Sequence, residues 1–384
     1  MKRIALAVSL ASLIFALSGC WNSVELNELA IVVGLGIDST DDGEYMVTAQ
    51  VARPQLLKDG NTGGDAYFNV SHKGKAVFSA LKDLMGMFSR TMYTQQCEVL
   101  IIGEETAKDD VSALLEYFLR NVESRMTMPI LISRGKAIEV FKQATYLESM
   151  SAIQLAKMAK NQQFAGLTDH NTVFTFISDL TSECRQPTAP IVELFQDDSG
   201  TVKARISGTA IFKDARMVGE FGEEEVYGLR LINNDLHSGI MQITGLGGLI
   251  ELEIMRCTSR VKPVVSDGKV SVDIRVDIEC DLISTTSHQH INDSEKILEV
   301  EELAREEVIA RINSALAAAR AFNSDVFGFG QRVYQRYPKL YAEIENGDGG
   351  WDAVFQTLPV VVSANVKLMS IGSSMQPVTS GSGD

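Results

Sequence analysis

The chain has 384 residues, with 50 Asp and Glu against 35 Lys and Arg, a net charge of −15. One hydrophobic core rarely serves such a length, so two or three domains are expected. With 45% apolar and 22% charged residues the chain is globular in composition, which excludes wholesale disorder and a polytopic membrane protein, while the acidic balance disfavours nucleic-acid binding.

Lys2 and Arg3 open the chain, and Ile4 to Leu17 carries no charge. As a helix that run rises only about 21 Å, short of a hydrocarbon core of roughly 30 Å, so it reads as a signal peptide rather than a spanning segment. Leu17-Ser18-Gly19-Cys20 follows and resembles the lipobox of bacterial lipoproteins. The resemblance implies cleavage after Gly19 and a diacylglyceryl thioether on Cys20. Losing Lys2 and Arg3 makes the remainder still more acidic. An anionic bilayer would repel it, so acyl chains, at roughly 0.8 kcal/mol per buried CH₂, must do the anchoring. No Ser/Gly-rich spacer separates Cys20 from the first strand, and nine extended residues reach at most about 30 Å.

Leu29–Ile37 reads as a buried strand and Tyr45–Val51 as its partner across the Asp41-Asp42-Gly43 turn. A Gly-rich loop at 59–65 leads to a helix over 76–88, with Val77, Leu81, Leu84 and Phe88 on one face. Strands are expected at Val99–Ile102 and Ile130–Ile132. Between them lies an amphipathic helix, 111–122, that turns Val111, Leu114, Leu115, Phe118, Leu119 and Val122 inward. Helical segments near 136–143, 151–164 and 170–181 follow. Gln186-Pro187-Thr188-Ala189-Pro190 and Asp197-Asp198-Ser199-Gly200 bracket a strand-like Ile191–Phe195 and mark the best domain boundary. Beyond it come strands at Arg205–Lys213 and Val270–Leu282. The latter alternates apolar and polar residues at a strict period of two, which defines a sheet with one wet face. A long helix runs from about Glu295 to Phe322, with Asn292, Asp293 and Ser294 as candidate N-caps and Ile297, Val300, Ala304, Val308 and Ile312 buried. Pro338 suits the first turn of a further helix within 325–345, and Pro359–Ile371 is a final strand. Elements alternate irregularly, which favours α+β over a doubly wound sheet. The expected organisation is a signal peptide (1–19), an N-terminal α+β region (20–200) with room for two subdomains, a C-terminal α+β domain (201–372) and a disordered tail (373–384).

The search for chemistry yields no catalytic, cofactor-binding or metal-ligating set. Gly34-Leu35-Gly36-Ile37-Asp38-Ser39 starts like a dinucleotide loop but has Ser at its third glycine position and no helix pattern after it; a β-turn ending a strand is expected. No Walker A sequence or Gly-x-Ser-x-Gly elbow occurs. His288-x-His290 lacks the further ligands zinc requires. Ser79-x-x-Lys82 lacks the elements that accompany this motif in acylating enzymes, and its Leu81 belongs to a helix core face. Glu223-Glu224-Glu225 suits a solvated helix N-terminus, and Glu299, Glu302 and Glu306 form a solvated helix face that also offers a docking surface for a basic partner. Cys97, Cys184, Cys257 and Cys280 are widely spaced and allow three pairings, among which sequence does not choose.

Several segments recur in an order that resembles the spore germinant receptor C-subunit lipoproteins, the Ger(x)C family. They begin with Leu17-Ser18-Gly19-Cys20-Trp21, Glu25-Leu26-x-x-Leu29-Ala30 and Gly34-Leu35-Gly36-Ile37-Asp38. Gln50-Val51-x-Arg53-Pro54, Ile101-Ile102-Gly103-Glu104 and Arg120-x-x-Glu123-x-Arg125 continue the likeness. Later come Gly208-Thr209-Ala210-Ile211-Phe212-Lys213, Val218-Gly219 and Glu225-x-x-Gly228-Leu229. Asp325-Val326-Phe327-Gly328-Phe329-Gly330, Tyr337-Pro338 and Trp351 complete it. Asn22 departs from the Asp usual after Cys-Trp, which leaves Cys20 and its small preceding residues untouched.

The resemblance implies a multidomain mixed α/β body, lipid-anchored through Cys20 on the outer face of the spore inner membrane. It also implies assembly with a large integral membrane A subunit and a permease-like B subunit, and a non-enzymatic part in nutrient-triggered germination. The alternative, a solute-binding lipoprotein delivering a ligand to a transporter, expects two similar lobes about a hinge. A peptidoglycan hydrolase would need positioned carboxylates or a metal.

Overall fold

The computed structural model describes residues 28–53, 66–121, 124–165, 171–182, 184–287 and 291–371, with Ile4, Glu25 and Gln289 singly and only the backbone of 162–165. The leader and Cys20, the 59–65 loop, Val122, Glu123, His288, His290 and the 373–384 tail lie outside them.

The first sheet is built on strands β1 (Leu29–Ser39), β2 (Tyr45–Ala52), β3 (Tyr67–Gly74), β4 (Thr91–Tyr93), β5 (Val99–Gly103), β6 (Ile130–Ser133), β7 (Thr188–Gln196), β8 (Val202–Lys213) and β9 (Arg216–Phe221). Its order is β3-β2-β1-β5-β6-β7-β8-β9, with β4 beside the start of β1. β1, β5, β6 and β7 run parallel. They are covered on both faces, which is why β5 (VLIIG) and β6 (ILIS) carry continuous apolar runs, Val99–Ile102 and Ile130–Ile132, instead of alternating. Helices α1 (Val77–Gly86), α2 (Glu104–Lys108), α3 (Ser112–Arg120), α4 (Ala137–Phe141), α5 (Ser151–Ala165) and α6 (Val173–Leu180) supply the covers. On one side Leu81 of α1, Phe118 of α3 and Phe176 of α6 meet Leu100, Ile102 and Ile132. On the other, Val140 and Phe141 of α4 and Leu155 of α5 meet Val99, Ile101 and Leu131.

The second sheet has the order β10 (Gly239–Gly245), β11 (Gly248–Ser266), β12 (Lys269–Thr285), β13 (Val360–Ser370). Along β12 the alternate residues Val270, Val272, Ile274, Val276, Ile278 and Cys280 are buried, the wet-faced strand the alternation predicts. Against the dry face pack α7 (Glu223–Asn233) and α8 (Ser294–Ala321), the latter through Val300, Ala304, Val308 and Ile312. Burying such side chains contributes about 1.5–3 kcal/mol each. α9 (Phe329–Arg336), α10 (Pro338–Glu345, with Pro338 in its first turn) and α11 (Gly350–Thr357) close one end. The architecture is α+β in two unlike parts, a large mixed sheet and a four-stranded one, not two similar lobes.

Pro190 lies inside β7, and Asp197-Asp198-Ser199-Gly200 forms the tight turn to β8. The first sheet runs on through β8 and β9 to Phe221, so its last two strands come from beyond residue 200. Pro and Gly/Asp clusters here punctuate a hairpin. Two readings of the sequence are corrected. Gly34 and Gly36 sit in mid-strand, not in a turn. Leu119, expected inward, is exposed, because α3 ends at Arg120 and buries only the stripe Leu114, Leu115 and Phe118.

Candidate functional site

The segments that carry the family likeness build two buried nodes. In the first, ideal Cβ atoms on Gly34 and Gly36 would meet Ala152 and Phe141 at 2.6 and 3.0 Å, so these glycines let α4 and α5 lie directly on β1. Two residues on, Asp38 accepts hydrogen bonds from the Ala137 and Ile138 amides at 2.7 and 3.3 Å, holding the first turn of α4. Burial pushes the Asp38 carboxyl above its usual range, against those two amides and Lys136. Gly103 stands against it on β5, where any Cβ would overlap Asp38 Oδ1. Gln50 plays the matching part for α5: its Oε1 accepts from the Ala152 amide at 2.9 Å, and its Nε2 donates to Ser151 Oγ at 2.8 Å and Asn69 Oδ1 at 2.9 Å.

The second node joins the two sheets. Asp325 is buried and accepts three hydrogen bonds, from the Phe329 amide at 3.1 Å, the Gly330 amide at 2.8 Å and Trp351 Nε1 at 2.9 Å. Burial pushes its carboxyl up, opposed by these donors and by Arg185. Next to it, Ser324 Oγ donates to the Phe212 carbonyl at 2.6 Å, and Lys213 pairs with Asp352. The Asp325 carbonyl receives the Gln186 amide at 3.1 Å, and the Cys184 carbonyl receives the Gln331 amide at 3.1 Å. Stacked Phe327 and Phe329 rings, 5.2 Å apart, fill the corner. The Gly-Thr-Ala-Ile-Phe-Lys, Asp-Val-Phe-Gly-Phe-Gly and Trp351 segments, far apart in sequence, thus form one joint.

The carboxylates of both nodes, Asp38 and Asp325, are buried. A surface groove of about 460 Å³ lies at one end of the first sheet, lined by Arg134, Glu193, Arg205, Ser207, Glu220 and Glu223. Arg134 bridges Glu193 at 3.2 Å and Glu220 at 2.9 Å, and Arg205 reaches Glu193 at 2.7 Å. Burial raises the Glu193 pKa, but Arg205, Ser207 and Arg134 outweigh it, so the carboxyl stays below its usual range and holds no proton to donate near neutral pH. Glu223, Glu224 and Glu225 occupy the first turn of α7, as expected of a helix N-terminus. Ser79 Oγ bonds the Ala76 backbone, and Lys82 is exposed. Glu299 and Glu302 pair with Lys296 and Arg305 on the exposed side of α8. Among the described residues no three His, Cys, Asp or Glu converge as metal ligands, and no helix is long and apolar enough to cross a membrane. No signal in the sequence exposes the groove, because its partners pair across strands whose neighbourhood only the fold defines.

None of Cys97, Cys184, Cys257 and Cys280 forms a disulfide; Cys97, Cys184 and Cys280 are buried and Cys257 is partly buried. Burial pushes the Cys97 and Cys280 thiols up to about 12 and Cys257 up to about 11. At pH 8 the folded chain from residue 21 should therefore react slowly with a thiol-reactive dye, its four cysteines reacting together only in denaturant. Rapid labelling of Cys97 or Cys280 in the folded state would contradict this burial.

Fold and nodes define a two-part α+β protein whose recurring segments make its frame. A model described as the spore germination protein N-terminal domain matches residues 22–194, and one described as spore germination B3/GerAC-like, C-terminal, matches residues 207–372. The chain belongs to this family of spore germination proteins. It is 22% identical to spore germination protein B3 of Bacillus subtilis (strain 168) over 94% of this chain and 96% of that one. Spore germination protein KC of the same organism is also 22% identical, over 98% of each. The crystal structure of the GerBC protein superposes with a TM-score of 0.55 at 19% identity, covering 88% of this chain and 97% of that one. That likeness shows a shared fold.

Proposed function

We propose that this chain is a lipid-anchored, non-enzymatic subunit of a nutrient germinant receptor, held by Cys20 on the outer face of the spore inner membrane. It acts through protein contacts with integral membrane A-type and B-type subunits. The observation that carries the reading is the ordered match to both halves of the family directly behind a lipobox. In support, β1 starts at Leu29, so its tether from Cys20 spans at most about 30 Å and keeps the body beside the bilayer. The family segments serve packing, which fits a scaffold working by contact.

The test is Cys20→Ala in a strain lacking redundant receptors. The variant is expected to lose palmitate labelling, to leave the spore membrane fraction and to slow the nutrient response at least tenfold. A normal nutrient response with the label lost would overturn the anchoring role.

A further inference from the structure

The second sheet turns one face to water, and on it a groove of about 310 Å³ is lined by Arg260, Lys262, Asp273, Arg275, Val361 and Ser363. Three cations gather there on a chain of net charge −15. The register sets Arg260 of β11 directly opposite Arg275 of β12, and like charges so placed destabilise an antiparallel pair. Arg275 turns along its own strand to Asp277, with Nε to Oδ2 at 3.4 Å. Arg260 and Lys262 form no ion pair among the described residues, although Asp273 stands across from Lys262. The Arg260–Arg275 juxtaposition works against folding, whereas a bound anion would relieve it.

We propose that the Arg260–Lys262–Arg275 groove is a docking site for an acidic, extended segment of a partner protein. Charge complementarity selects the anion, and the lining residues, drawn from the three neighbouring strands β11, β12 and β13, place it on the wet face of the sheet. A flat anionic bilayer would also meet Asp277 and Glu279, which continue the same face of β12, and would be repelled by them. Exposed Val361 on neighbouring β13 adds an apolar contact at the edge of the groove. The inference deepens the reading of a subunit that works by contact, and rests on that reading; its test below uses neither the lipid nor germination.

The chain from residue 21 onward, which contains both sheets and their cores, would be titrated into fluorescein-labelled hexaglutamate and followed by anisotropy. Binding is expected, weakening with salt and falling at least tenfold in the Arg260→Glu/Lys262→Glu double variant. Lys82→Glu, an exposed change on α1, should leave it unaltered. These substitutions are on solvated positions, and a matching circular dichroism spectrum would confirm folding. Absence of hexaglutamate binding, or equal binding by the double variant, would overturn the proposal. So would phosphatidylglycerol vesicle binding that the double variant loses while hexaglutamate binding persists, because the face would then be a membrane contact. Failure here with loss of function in Cys20→Ala would leave the anchored-subunit reading standing.

Discussion

Asp325→Ala is expected to lower the unfolding free energy by about 3–5 kcal/mol. The carboxylate takes three N–H donors, from Phe329, Gly330 and Trp351, at a fully enclosed site. Alanine leaves all three without an acceptor, and each orphaned buried donor costs about 1–3 kcal/mol, partly offset because a buried charge is removed as well. Losing the Trp351 bond also frees the indole that packs on Tyr341, at 5.8 Å between rings. Asp352→Ala breaks a neighbouring ion pair to Lys213 in which the carboxylate is half exposed, so it should cost less than about 1 kcal/mol. Urea unfolding of the chain from residue 21 would separate the two by their midpoints. An Asp325→Ala loss of under about 1 kcal/mol would refute the joint.

The buried carboxyls also set a pH signature. Burial raises the folded pKa of Asp38 above its value in the unfolded chain, so the folded state holds that proton more tightly. The associated stability is fully present below about pH 4 and is lost as the pH rises through the folded pKa. The stability advantage of the wild type over Asp38→Asn should therefore be larger at about pH 4 than at about pH 6.5. Glu104 and Glu193, held below their usual range, work in the opposite sense. The difference between wild type and variant isolates Asp38.

Where one periodicity governs a whole element, the sequence discloses it. β12 alternates without interruption, and Val270 through Cys280 fall on the dry face as read. β11, at 19 residues against 17, carries no such signal, because a register shift between Ile254 and Arg256 moves its buried positions out of phase. Ile250, Leu252 and Ile254 face in before that shift, and Cys257, Val261 and Val265 lean on the core after it. The same effect acts in β1, where a bulge between Val32 and Gly34 puts Val32, Leu35 and Ile37 on one face. Gly34 and Gly36 suggest a turn because glycine's usual roles are turns; their reason, helices seated on the strand, depends on residues more than 100 positions away. The groove cations were equally hidden. Arg260, Lys262 and Arg275 look like ordinary wet-face residues until strand register aligns two of them.

Gly228→Ala provides the opposite test, because local and tertiary physics disagree in sign. Gly228 lies inside α7, where alanine would normally stabilise by about 1 kcal/mol through helix propensity. A Cβ there would overlap the Arg311 carbonyl and stand 2.8 Å from the Ala315 Cβ, at the point where α7 crosses α8. Both obstacles belong to α8, so neither can rotate away; the helices must separate. Separation would strain two contacts at the same crossing, the Arg311 guanidinium over the Tyr227 ring at 4.2 Å and Ser314 Oγ donating to Glu225 at 3.0 Å. Overpacking of this kind costs about 1–3 kcal/mol, and the net expectation is a loss of about 2 kcal/mol for alanine and more for leucine. Gly86→Ala supplies the comparison: that glycine ends α1 with open space around its Cβ position, so the change should leave stability equal or slightly higher. Should Gly228→Ala match or exceed the wild type in urea, the close crossing of α7 and α8 would not be what glycine serves at this position.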